Sequence, residues 1–246
     1  MFEDISTLMW KEYKSLLRSS GSRWKSITIM VTPIALFGII FPIQFSTEWL
    51  ESYWSLTVSG VTPLLLIATT ISESFAGERE RHTLETLLSS RLPDRAILLG
   101  KLFTSLLFGW GMTLFLLAIS LIVVNVLEWS GQFLFYQPII FGIDIVSSLL
   151  VSGFVSSLGT MISLRAPTVQ NAAQTIMLAL FMPLLLLQAV VFLLPSFIPI
   201  DLIKARLEQQ DFASIIIIIL IILVVANIGL FISARARFKR SKLILS

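Results

Sequence analysis

Six apolar stretches, at about 26–45, 54–75, 102–127, 138–164, 172–195 and 212–233, are each long enough to cross a bilayer. About 20 mostly apolar residues cover the roughly 30 Å of hydrocarbon. A segment in lipid must satisfy its own backbone, so a crossing built from such stretches is helical. This holds even for the β-branched run Ile215–Ile219, which lies within a long apolar stretch. The expected fold is therefore all-α, a polytopic membrane protein with residues 1–246 forming one transmembrane domain. Composition agrees: 56% of residues are hydrophobic and only 13% are charged, about half the charge that a soluble surface requires. Absence of cysteine excludes disulfide frameworks, thiolate metal sites and a cysteine nucleophile. A net charge of +3 gives no argument for nucleic acid as a partner. The fifth stretch carries Pro183 inside and Pro195 and Pro199 at its end, which predicts a broken or re-entrant helix.

Basic residues orient the chain. With both termini on the cytoplasmic side, Lys11, Lys14, Arg18, Arg23 and Lys25 lie inside. So do Arg79, Arg81, Arg91, Arg95 and Lys101, Arg165 after the fourth span, and Arg235, Arg237, Lys239, Arg240 and Lys242. Only Lys204 and Arg206 fall outside, and the excess of Lys and Arg in short inner connections sets topology. The leader before the first span contains Glu3, Asp4 and Glu12, and no small-residue cleavage site follows that span, unlike a secretory signal. Residues 198–210 carry Ile200, Leu202, Ile203 and Leu207 among Lys204 and Glu208, which predicts a short amphipathic external segment.

Two pieces outside the spans are informative. In the first, Ile5, Leu8, Met9, Tyr13, Leu16 and Leu17 recur at spacings of three and four, and Lys11, Lys14, Ser15 and Arg18 take the other side. The pattern is that of an amphipathic helix at the inner membrane surface, over residues 1–25. It serves as an anchor, with contact to a cytoplasmic partner compatible. The second piece, 77–95, runs Gly77-Glu78-Arg79-Glu80-Arg81-His82-Thr83-Leu84-Glu85-Thr86-Leu87-Leu88 and on through Pro93 and Arg95. Acids lead, Leu84, Leu87 and Leu88 form a small apolar face, Pro93 stops the helix, and Asp94 is placed to N-cap the next. Glu78, Arg81 and Glu85 share one helical face. A short helix held in the cytoplasm by two rigid spans reads either as a solvated connection or as a docking knob.

This stretch, with Gly100-Lys101 after it, resembles the Gly-Glu-Arg-Glu-Arg-Gly-Thr-Leu-Glu-x-Leu-Leu…Pro…Arg…Gly-Lys signature of type-two exporter permeases of the ABC transporter superfamily. The layout of the whole chain is similar too: an amphipathic N-terminal helix, six spans, the signature between the second and third, and prolines in the fifth. The resemblance implies that the segment is a coupling helix seated in a cleft of a separate ATPase subunit. Gly77, Glu78, Arg79, Glu80, Arg81, Thr83, Leu84, Glu85, Leu87 and Leu88 match by position, and His82 stands where the signature has glycine. It further implies two ABC ATPase subunits as partners. A second permease copy, identical or paralogous, and residence in the cell membrane among its lipids are also implied. No cofactor is expected in this chain, with ATP and Mg on the partner ATPase.

The remaining residues fit a subunit that performs no covalent chemistry. No Gly-x-x-x-x-Gly-Lys-Ser/Thr loop occurs, and no catalytic or metal-binding set converges. His82 is the only histidine and reads as a surface or interface residue. Glu73, at the inner end of span two, is expected as a buried partner for an arginine of the knob. Asp144 is the only acid well inside a span, about 9 Å from its outer start at 1.5 Å per residue. It serves helix–helix hydrogen bonding or lines the substrate path. Asn125, Gln188 and Asn227 read as interhelical hydrogen-bonding residues. Ser148, Ser152 and Ser156, with Gly153 and Ser157, permit close helix packing, within the chain or across a dimer. A secondary carrier or channel and, less favoured, a membrane-embedded enzyme are the alternative functions. The apolar spans lean toward a lipid-like or amphipathic cargo.

Overall fold

The computed structural model describes residues 2–18, 31–83, 86–87, 89, 91–129, 131–197 and 212–238. Among these residues there are helices and connections and no strand. In chain order the helices are α1 (Phe2–Arg18), α2 (Val31–Phe45), α3 (Glu48–Glu51), α4 (Leu56–Glu80), α5 (Asp94–Leu127), α6 (Pro138–Ser163), α7 (Val169–Phe197) and α8 (Phe212–Arg237). Five of them, α4 to α8, are long and apolar enough to cross a membrane, and α2 is a shorter apolar helix. Residues 19–30, which hold the start of the first expected span, lie outside the described residues, as does the expected external segment 198–210.

Helix α2 is irregular for a local reason. Its Ile34–Ile40 stretch is π-helical between Pro33 and Pro42, and the Phe41 N–H reaches back five residues to the Leu36 carbonyl. Pro42 has no N–H to continue the ladder, so the extra residue is accommodated where the bonding is already interrupted.

Helix α4 is the centre of the molecule. It buries Val58, Leu66, Ile67, Ala68, Ile71, Phe75 and Ala76, and α6 lies against it along a strip of small residues. Ser148, Ser152, Ser156, Thr160 and Ser163 of α6 are all fully buried. A Cβ on Gly159 would stand 2.4 Å from Ile71 of α4, and one on Gly109 of α5 would stand 2.4 Å from Ile67. The serine strip therefore packs within the chain. At the C-terminal end of α6 the Ser163 hydroxyl accepts from the Ala76 N–H at 3.1 Å and donates to the Ser72 carbonyl at 3.3 Å. Those are the two groups that bond each other in a regular helical turn, so α6 sets a hydroxyl directly against that rung of α4.

The end of the bundle that carries α3 is closed by aromatic packing. Trp49 of α3 is fully buried with Leu50, Val58, Leu116, Leu117 and Tyr136. Asn125 donates to the Leu134 carbonyl and accepts from the Leu134 N–H, both at 2.8 Å. It thus clamps the α5–α6 connection and does not join two helices. Asn227 does join two: it donates from α8 to the Leu150 carbonyl of α6 at 2.9 Å. Gln188 is exposed on α7.

Three expectations are corrected. Helix α7 runs unbroken through Pro183 and Pro195. A proline removes one ladder bond, and a membrane-length helix tolerates that loss where neighbouring groups compensate. Asp94 does not cap α5 but opens it: the N-cap position is Pro93, and Asp94 is the acid in the first turn, where the helix dipole favours it. Gly77 to Glu80 do not belong to a separate knob; they are the last turn of α4.

Candidate coupling site at the inner ends of the helices

Glu78, Arg79 and Glu80 are consecutive on α4, so their side chains leave the helix about 100° apart. Each reaches a different element. Glu78 meets Lys11 of α1 at 2.9 Å through one oxygen and Lys101 of α5 at 3.0 Å through the other. Arg79 donates to the Ala166 carbonyl at 2.8 Å and the Leu164 carbonyl at 2.6 Å, in the α6–α7 connection. Glu80 accepts from the Val169 N–H, the first of α7, at 3.1 Å. A carboxylate at a helix N-terminus satisfies an orphan donor and suits the dipole, and Thr168 assists by accepting from the Asn171 N–H at 3.2 Å. Gly77, just before them, is buried close to Val169.

Helix α4 then stops at a left-handed residue. His82 has φ 56°. The Thr83 N–H bonds to the Glu78 carbonyl at 2.9 Å and the His82 N–H to the Arg79 carbonyl at 3.0 Å. This is the paired bonding of a Schellman ending, whose left-handed position glycine usually occupies. Histidine stands there without altering the turn. Arg81, His82 and Thr83 are exposed. Leu87 turns inward, partly buried with Leu92 on an apolar cluster of Leu8, Phe75, Ile97, Leu98, Leu164 and Phe238. Leu84, Glu85 and Leu88 lie outside the described residues.

Beside this turn a small polar cavity is lined by Glu12, Ser15, Thr70, Glu73, Ser74, Arg81, Lys101, Thr104 and Ser105. Its volume of about 20 Å³ accommodates one water. Glu73, expected to partner an arginine of the knob, lines it together with Arg81. Lys101 is 1% exposed. Its ammonium meets three oxygens: Glu12 at 3.2 Å, Glu78 at 3.0 Å and the Ser74 carbonyl at 2.6 Å. Phe75 lies with its ring 4.9 Å away. Burial works against the charge on Lys11, but its hydrogen bond to Glu78 and the attraction of Glu78 and Glu12 outweigh that cost, holding its pKa above the ordinary value.

Sequence reasoning missed the roles of Glu12 and Lys101, although one signal was present. Glu12 follows Leu8 by four residues, on the apolar side of α1, and an acid on a buried face requires a cation.

Asp144 is fully buried near the N-terminal end of α6. Its two oxygens accept from the hydroxyls of Ser55, at 2.7 Å, and Ser59, at 2.6 Å. The site thus joins α6 to the first turns of α4.

A family model described as ABC-2 type transporter matches residues 3–187. No curated protein matches the chain.

Proposed function

The chain belongs to the ABC-2 type transporter family and is a multi-pass transmembrane permease component, and on that premise we propose that it works in an ATP-driven exporter. Two ABC ATPase subunits, carrying ATP and Mg, would act on two permease chains, and this chain would contribute a path and a lever without a catalytic site of its own. Residues 31–45 would complete a sixth pass with the residues before them, α1 would lie at the inner surface of the cell membrane, and both termini would be cytoplasmic.

The observation that carries this reading is the fan of contacts from the last turn of α4. Force applied to an exposed turn at Arg81–Thr83 passes directly into α1, α5, the α6–α7 connection and α7, through Glu78, Arg79 and Glu80. A solvated connection would have no need of such bracing. Docking in this reading falls to the exposed Arg81, His82 and Thr83 and to the exposed Arg91 further along the same connection, with Gly77, Glu78, Arg79, Glu80 and Leu87 holding the turn in place. Asp144, saturated by two serines, holds α4 on α6 in this conformation.

The test is retention of the ATPase on the purified permease. Arg81→Glu combined with Arg91→Glu alters two exposed side chains. Reversal of charges desolvated at an interface costs on the order of 2–5 kcal/mol, so the double variant should release the ATPase while keeping the thermal stability of the free permease. Full retention with unchanged hydrolysis would refute the docking assignment.

A further inference from the structure

We propose that Lys101 is a positioning residue that locks α1 onto the base of α4 and α5, making the N-terminal helix part of the lever. The inference deepens the function proposed above and rests on it for its mechanical role. Around one buried ammonium stand Glu12 from α1, Glu78 and the Ser74 carbonyl from α4, and the lysine's own helix α5. The ammonium donates hydrogen bonds to Glu12 and the Ser74 carbonyl, and Glu78 adds an ion-pair contact at 3.0 Å. Lys11 closes the cluster by meeting Glu78 at 2.9 Å and Glu12 at 3.5 Å, so two cations face two carboxylates and the set is neutral.

Apolar packing fixes the same joint. Leu8, one turn before Glu12, is 3% exposed, and a Cβ on Gly100 would come within 2.7 Å of it. Only glycine lets α1 lie that close to α5. The residue that permits contact and the residue that charges it are thus adjacent, Gly100 and Lys101. A helix that merely floats at a membrane surface does not require a buried ion cluster, because water would solvate its charges. Burying these charges is costly unless every partner stays in place. That makes the joint specific in geometry: displacing α1 takes Glu12 from Lys101 and Lys11 from Glu78, leaving the buried Lys101–Glu78 pair with half of its charged partners. Motion of the Arg81–Thr83 turn therefore carries α1 with it, and any restraint on α1 at the membrane surface acts back on the turn.

The experiment uses the full chain, whose lack of cysteine allows spin labels at Ser6→Cys in α1 and Arg165→Cys after α6, both exposed positions. The variant is Glu12→Gln with Lys101→Met, which removes one charge of each sign and leaves Glu78 paired with Lys11. In nanodiscs without ATPase, the parent should give one narrow distance distribution and the variant a broad one. In complex with ATPase, the variant should retain the ATPase. The change in hydrolysis rate that the permease imposes should nonetheless fall about tenfold, within the usual range of coupling energies. Equal, narrow distributions in both proteins would overturn the lock. A broadened distribution with unchanged control of hydrolysis would overturn its mechanical role, leaving packing alone. Failure of the parent to hold any ATPase would overturn the function proposed above, while the distance measurement would still decide the lock.

Discussion

His82 occupies a left-handed position, φ 56°, at the point where α4 must end and the chain must turn toward α5. A side chain there costs about 1 kcal/mol relative to glycine, and a β-branched one costs more because its Cβ substituents crowd the carbonyl. His82→Gly should therefore raise the thermal stability of the purified protein slightly, and His82→Val should lower it; the reverse order in a melting experiment would contradict the Schellman ending. Asp144 poses a different residue-level problem. Its carboxylate is buried, yet both oxygens are bonded by serines. Asp144→Ala removes both hydrogen bonds, a loss of about 2 kcal/mol after the serines rebond to nearby carbonyls. Asp144→Asn keeps an acceptor and gains a donor that a serine oxygen can accept. It should cost about half as much, as read from unfolding in detergent.

Between elements, close approach is what small residues make possible. Helix α6 meets α4 through buried serines and Gly159, and a Cβ on Gly159 would stand 2.4 Å from Ile71. Gly142, on the same helix, has no atom within 4 Å of its Cβ position. Gly159→Val should thus destabilise the protein by about 1–3 kcal/mol through overpacking. Gly142→Ala should be neutral or stabilising by up to about 1 kcal/mol, because alanine is the better helix former. Equal effects at both sites would show that α4 and α6 do not meet as described. The existence of the helices was legible from their apolar length and from the three-and-four spacing in α1. Their ends were less so: α4 gains a charged last turn because Glu78, Arg79 and Glu80 each find a partner on another element, and no local pattern states that.

For the whole molecule, orientation follows from the basic residues. If the termini are cytoplasmic, cysteine at Glu48 or at Gln132 should react with an impermeant thiol reagent added outside intact cells. Cysteine at Ser89 should react only after permeabilisation. Each of these residues is exposed, so accessibility is decided by the membrane and not by burial. External labelling at Ser89 would invert the topology.

Apolar run length, the placement of lysine and arginine, and the Gly77–Lys101 pattern sufficed to imply a helical membrane permease, because crossing hydrocarbon is a constraint that each segment meets alone. The π-helical stretch of α2 and the unbroken α7 were not legible in the sequence, since a proline's missing bond is compatible with a break, an irregular turn or a continuing helix. The segment 77–95 shows the limit most clearly. The sequence marked Glu78 to Leu88 as one outward-facing unit, whereas tertiary structure turned Glu78 and Leu87 inward and recruited Glu12, from 66 positions away, to share Lys101. Ion pairs between distant helices depend on which faces come together, and a single helix's periodicity carries only its own half of that information.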